Sequence, residues 1–384
     1  MAAFNPKRLY DIRIIRGITL EYLAEHLGVT KQMVSKYERG DSLPSYATIA
    51  TMASLLNTSM KYFSKSSSVL GSGTSTLFLR APTSTTKKTS IQQARIICQW
   101  GYEITKAATL SSPKSLPINI NRELPIPQIA TETRKLWGLG ARPIDDMVSI
   151  LESNGINVFM VDLPDLKTEA YSQIINGVPI VVLNRNVGTA VRQRFSLAHE
   201  LGHLILHSDL TDDWEIDLRN KDIEREANLF AEYLLMPIGG FEDSFYSSKM
   251  EHLIPLKQRW GVSVGAIVMH CKHIGLIDEH ETDQLQRQIN ARGWKKVEPL
   301  DKDIVYEEPI KMRNYVEESI YSQESFETFF DDTMLPIDIV ERMCMLQPGF
   351  LTMYYEKSDL LSGHPHIIQN EDNYKQLSLF DLEG

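Results

Sequence analysis

The sequence predicts a multidomain chain: an all-α helix-turn-helix head, an α+β central domain, and a mostly helical C-terminal region. Three observations predict it. Short helical patterns with caps and glycine stops fill residues 1–65. From 128 to 290, helical segments are followed by β-branched runs and then by two more helical patterns. Between these regions, "SKSSSVLGSGTSTLFLRAPTSTTKKTS" reads as a Ser/Thr-rich linker, and a connecting helix from Ile91 to Ala108 follows it. The expected divisions are 1–65, 66–127, 128–290, an acidic region 291–370, and a tail 371–384.

Bulk composition narrows the function classes. The 384 residues are 42% hydrophobic and 23% charged, which fits globular domains rather than disorder. No apolar run approaches the roughly 18 residues a membrane span needs. The N-terminus has no signal-peptide core, so a cytoplasmic location without membrane partners is expected. Cys98, Cys271 and Cys344 are widely spaced and form no CxxC, which argues against a disulfide framework. The net charge of −10 is uneven. Residues 1–65 carry nine basic and five acidic residues, and 298–341 carry three and thirteen. Only the head is expected to face nucleic acid.

In the head, Thr19 caps a helix over Leu20–Leu27, and Gly28 suits the left-handed stop. Thr30 caps a second helix, Lys31–Arg39, ended by Gly40. Leu23, Ala24, Leu27, Val34 and Tyr37 form the inward face. Segments Arg8–Arg16 and Tyr46–Leu56 close the core.

The central region reads as helices "QIATETRKLWGL" and "PIDDMVSILESNG", then strands "INVFMVDL" and "VPIVVLNRN". "AYSQIING" is a candidate third strand, and "VPIVVLNRN" a candidate edge for an extended peptide. Next comes "AHELGHLILH", Ala198–His207. Residues four apart share a helix face, so His199 and His203 can bind one metal ion. Glu200 is rotated by about 100°. It can take a proton from an activated water, as a general base. His207 follows one turn later, and its plain reading is a helix-end residue bonding carbonyls.

"DIEREANLFAEYLLMP" supplies a candidate third ligand. Glu226 shares a stripe with Leu229, Phe230 and Tyr233, and a carboxylate on an apolar stripe is costly without a positive partner. Glu226 is therefore the preferred ligand, with Glu224, Asp222 and His207 as alternatives. The set implies Zn2+, two histidines, one glutamate and an open position.

Two stretches carry resemblances. "LAEHLGVTKQMVSKYERG" resembles the phage-repressor, or XRE-type, helix-turn-helix. That resemblance implies that the second helix enters the major groove of double-stranded operator DNA, usually as a homodimer. Lys31, Gln32 and Lys36 then read bases, and Ser35 contacts phosphate or base. Leu20 departs from the Gln or Ser that many relatives have there. "RFSLAHELGHLILH", "EREANLFAEYLLMP" and "RWGVSVGAIVMHCKHIGLID" together resemble the ImmA/IrrE metallopeptidases. This implies a zincin-like, thermolysin-like pair of catalytic helices with a small sheet. It also implies zinc-dependent endopeptidase activity and cleavage of a DNA-bound repressor or antitoxin-like regulator. His199, Glu200, His203 and Glu226 carry over by position. Tyr233, His207 and Tyr171 are candidates for stabilising the transition state.

The tail holds "QLSLF", Gln376, Leu377, Ser378, Leu379 and Phe380, which resembles the bacterial sliding-clamp-binding motif. The expected function is control of gene expression in a mobile element or a stress response by regulated cleavage. The rival class is a non-proteolytic transcriptional regulator or antitoxin with a sensory or vestigial zinc site. The acidic stretch 298–341 is read as a solvated surface, with masking of the head or recognition of a basic substrate as alternatives.

Overall fold

A computed structural model describes residues 4–65, 78–79, 88–108, 123–162, 169–185, 188–208, 210, 213–320 and 323–353. The head follows from its capping chemistry. Helix α1, Pro6–Ile15, opens with Pro6 in its first turn, and the Asn5 side chain accepts from the Lys7 amide. Helices α2, Leu20–Leu27, and α3, Lys31–Arg39, are capped by Thr19 and Thr30. They stop at Gly28 (φ 66°) and Gly40 (φ 78°), in the backbone region that favours glycine. Helix α4, Tyr46–Leu55, starts at the Ser45 cap, and a short 3-10 turn, Met60–Ser64, follows. Leu9, Ile12, Leu23, Val34 and Met52 are fully buried between these helices.

The sheet sits at the centre of the chain. Its strands are β1, Phe78–Leu79, β2, Asn157–Val161, β3, Ala170–Ile175, and β4, Val178–Asn184, in the order β1-β3-β4-β2. Strands β3 and β4 form a hairpin through Asn176 (φ 49°) and Gly177 (φ 81°), the two-residue turn that the Asn-Gly pair favours. β2 runs parallel to β4. The candidate third strand is therefore β3. "VPIVVLNRN" does not supply an edge, because β4 is paired on both sides. The outer edge of β3 carries β1, with Phe78 opposite Ser172 and Leu79 opposite Tyr171.

Both faces of the sheet are covered. Phe159, Val161, Tyr171, Ile180 and Val182 face helix α5, Lys88–Ala107, and join the core of the head. Gly101 lets α5 lie flat on the sheet, since a Cβ there would stand 2.8 Å from Phe159 Cε2. Val158, Met160, Ala170, Val181 and Leu183 face the other way, into a second core. That core contains α6, Ile126–Leu136, α7, Met147–Ser153, α8, Ala190–Leu206, and α9, Asp213–Leu235. Helices α10, Ile238–Glu242, α11, Met250–Trp260, α12, Val264–His273, and α13, Glu279–Ala291, complete it.

The C-terminal helices are α14, Lys311–Ile320, α15, Gln323–Thr333, and α16, Ile337–Met343. They pack beside α5 and the head. Many acidic residues of 298–341 have structural partners here. Glu307 caps α7 through the amides of Met147 (2.8 Å) and Val148 (3.1 Å) and pairs with Arg194 (2.7 Å). Glu298 accepts from the buried Lys257 (2.8 Å) and from the Val264 amide (2.9 Å). Asp338 receives both terminal nitrogens of Arg16 at 2.6 and 2.8 Å, and Asp331 meets Lys61 at 3.3 Å. The solvated-surface expectation fails at Glu298, Glu307 and Asp338 but holds at the exposed Asp331, and the head contacts fall on Arg16 and Lys61 rather than on α3. The head is also held to α5, where Arg8 donates to Glu103 (2.7 Å) and Gln93 to the Ile14 carbonyl (3.0 Å).

Among the described residues no helix is long and apolar enough to cross a membrane. Asp338→Ala removes the acceptor of two charge-assisted bonds and leaves Arg16 buried. It should cost about 1.5–3 kcal/mol. Hydrogen exchange should show faster amides in α1, with the sheet unchanged.

Candidate functional site

Helix α8 starts at the Thr189 cap and puts its apolar residues Leu197, Leu201, Leu204 and Ile205 wholly inside. His199, Glu200 and His203 are buried with them. They are tolerated because α9 crosses closely. A Cβ on Gly202 would lie 3.2 Å from both the Cα and the carbonyl oxygen of Ala227. Glu224, three residues before Ala227, therefore falls on the contact line, opposite the histidines.

Three side chains converge there. His199 Nε2 and His203 Nε2 are 3.0 Å apart. Glu224 places Oε2 3.4 Å from His199 Nε2 and Oε1 3.4 Å from His203 Nε2. His199, His203 and Glu224 form the metal-compatible group among the described residues. Tetrahedral ligands about 2.0 Å from an ion stand about 3.3 Å from each other, so the spacing fits such a site. The donor set, two imidazoles and a carboxylate, fits a zinc-type ion with room for a fourth ligand. Burial pushes the Glu224 carboxyl up, but its hydrogen bonds and attraction to His199 and His203 outweigh this and hold it well below the usual range.

The preferred third ligand of the sequence reading, Glu226, is corrected by this geometry. Two residues along a helix is a rotation of about 200°. Glu226 instead meets His207, with Oε2 3.0 Å from His207 Nε2. His207 is the cap residue at the end of α8 and is buried, with Nδ1 3.1 Å from His203 Nδ1. Its plain reading as a carbonyl-bonding end residue misses these two contacts. On His199, Nδ1 lies 3.0 Å from Asn228 Oδ1. Asp222 is exposed and pairs with Arg225 at 3.0 Å.

Glu200 is anchored from the sheet. Ser172 Oγ on β3 donates to Glu200 Oε2 at 2.6 Å. Ser172 and Asn228 were missed in the sequence. The available signals were a lone hydroxyl in the run "AYSQII" and an amide one turn after Glu224. Tyr171 points to the opposite face of the sheet, into the core shared with α5, and burial pushes its phenol well up. Tyr233 is nine residues, about half a rotation, beyond Glu224 on α9. Its ring packs edge-on to His270, 5.2 Å between centroids.

The head presents α3 outward. Lys31, Gln32 and Lys36 are exposed, and Ser35 is partly so. Lys31 pairs with Glu21 of α2, and Ser35 accepts from Arg39 Nη1 at 3.1 Å. Arg39 is itself exposed at the end of the same helix and adds a cation that the sequence reading did not include. Residues Gln376–Phe380 lie outside the described residues.

Comparison with known proteins gives a family match over each of the two regions. Residues 9–63 match the family model described as helix-turn-helix. Over 61 residues the chain is 31% identical to an uncharacterized HTH-type transcriptional regulator of Rickettsia conorii (strain Malish 7). That match covers 16% of this chain and 49% of the relative, so it spans about half the relative's length. Residues 151–272, which include the histidine pair and Glu224, match the peptidase M78 model, described as the IrrE N-terminal-like domain. The chain thus joins a helix-turn-helix domain to a peptidase M78 domain.

Proposed function

We propose that this chain is a DNA-binding, zinc-dependent regulatory endopeptidase that cleaves a repressor or antitoxin-like protein. The observation that carries the reading is the convergence of His199, His203 and Glu224, with Glu200 buried beside them. The close pairing of α8 and α9 supports a zincin-like arrangement. His199, His203 and Glu224 would hold the ion. Zinc bound there would supply Lewis acidity for the scissile carbonyl and the attacking water. Glu200 takes the water's proton and returns it to the leaving amine, while the Ser172 hydroxyl fixes its orientation. An extended peptide that adds to the outer edge of β3 must displace β1 at Tyr171 and Ser172.

The exposed α3 supports operator binding through Lys31, Gln32, Ser35 and Lys36. A head anchored to the body holds the peptidase near whatever shares its DNA, which favours a DNA-bound regulator as substrate. Binding of Gln376–Phe380 to a sliding clamp remains part of this proposal.

Purified wild type should bind one zinc and cleave the regulator encoded beside it. Glu200→Gln should keep the zinc and lose about 10²–10⁴ in rate, the range of general acid–base catalysis. Equal cleavage by both proteins would sink the peptidase reading. Operator binding that persists with no cleavage under any condition would instead favour the non-proteolytic regulator.

DNA binding is tested separately. Replacing Lys31 and Lys36 with Ala should weaken operator binding. Each lost base contact should cost about 1–3 kcal/mol and relax the sequence preference at its position. An unchanged affinity and sequence preference would exclude α3 as the DNA-facing element.

A further inference from the structure

His203 has two ring nitrogens with different neighbours. Nε2 faces His199 Nε2 at 3.0 Å and Glu224 at 3.4 Å, so it is the metal-facing atom. Nδ1 lies 3.1 Å from His207 Nδ1, and His207 Nε2 lies 3.0 Å from Glu226 Oε2. A neutral imidazole carries one hydrogen, and a ligating nitrogen must not carry it. The hydrogen of His203 therefore belongs on Nδ1, donated to His207 Nδ1. His207 then holds its own hydrogen on Nε2 and donates it to Glu226. The reverse arrangement would put a hydrogen on the metal-facing atom of His203. It would also leave the bare Nε2 of His207 against a carboxylate.

We propose that His207 and Glu226 form a positioning relay that fixes the tautomer and ring orientation of His203. The proposal rests on the zinc reading above. The relay is built from the same two helices as the site. His207 ends α8, its backbone amide bonded to the His203 carbonyl at 3.0 Å. Glu226 stands two residues after Glu224 on α9. His199 has a simpler partner, Asn228, for its own Nδ1. Neither relay residue is a ligand or a proton donor to substrate. Both act through His203, as outer partners of metal-bound histidines do.

The test uses the full chain and reads zinc affinity by chelator competition, together with the visible spectrum of the cobalt-substituted protein. His207→Ala and Glu226→Ala should each weaken zinc about 10–100-fold and shift the cobalt bands. Glu226→Gln keeps an acceptor for His207 Nε2–H and should bind zinc close to wild type. The double alanine variant should be no weaker than His207→Ala alone, because the two residues act in series. Glu226 is partly exposed, so its variants keep the test open should His207→Ala fail to fold. Wild-type affinity and spectrum in both alanine variants would overturn the relay and leave the metal site standing. Equal losses in Glu226→Ala and Glu226→Gln would overturn the hydrogen-bond relay as well. A wild-type chain that binds no zinc would overturn the metal reading and the relay with it.

Discussion

The closeness of α8 and α9 at Gly202 and Ala227 sets the geometry of everything around it. With hydrogen as the side chain at 202, the helices meet backbone against backbone. One turn away, that spacing lets the short Glu224 side chain reach both imidazoles. Protein interiors are packed too densely to absorb a displaced helix locally. Widening the contact would therefore move Glu224 away from His199 and His203 together. The sheet enters the same arrangement from the side, because Ser172 on β3 holds Glu200. The cost of burying so many polar groups is offset by giving each a specific neighbour.

The head is joined to the body by the same kind of device. Arg8, Glu103, Arg16 and Asp338 are polar groups that the interface removes largely from water. Pairs of this type contribute less to net stability than to fixing one arrangement, because desolvation cancels much of their attraction. The apolar contact around them, from Leu9, Trp100, Phe329 and Val340, supplies the bulk of the adhesion. The outcome is that α3 has a defined orientation relative to His199, His203 and Glu224.

The head was legible in the sequence nearly residue by residue, because each helix boundary there has its own chemistry in Thr19, Gly28, Thr30 and Gly40. The histidine pair was equally legible, since four-residue spacing is a property of one helix. The partner carboxylate was not. The sequence favours Glu226 because large apolar neighbours signal burial. Burial is a different property from closest approach, however, and helices come nearest where residues are small, as at Gly202 and Ala227. The edge expectation for "VPIVVLNRN" fails for a related reason. β4 has the strongest β-branched run because it is internal. β1 is two residues in a Ser/Thr-rich stretch with no periodicity to announce it. Arg16 and Asp338 are more than three hundred residues apart, and no local pattern links them.

The docking of the head separates two things that a linker usually makes one. Residues 66–87 connect the head to α5 through the backbone, while α1 and its cap residue Arg16 also hold α5 and α16 by non-covalent contacts, apolar and ionic. A backbone nick between them would split the chain on a denaturing gel and leave a single particle under native conditions. Release would then depend on the lifetime of the interface and on dilution, as for any two-part complex. Breaking the chain and freeing the DNA reader are, in this molecule, separate events with separate clocks.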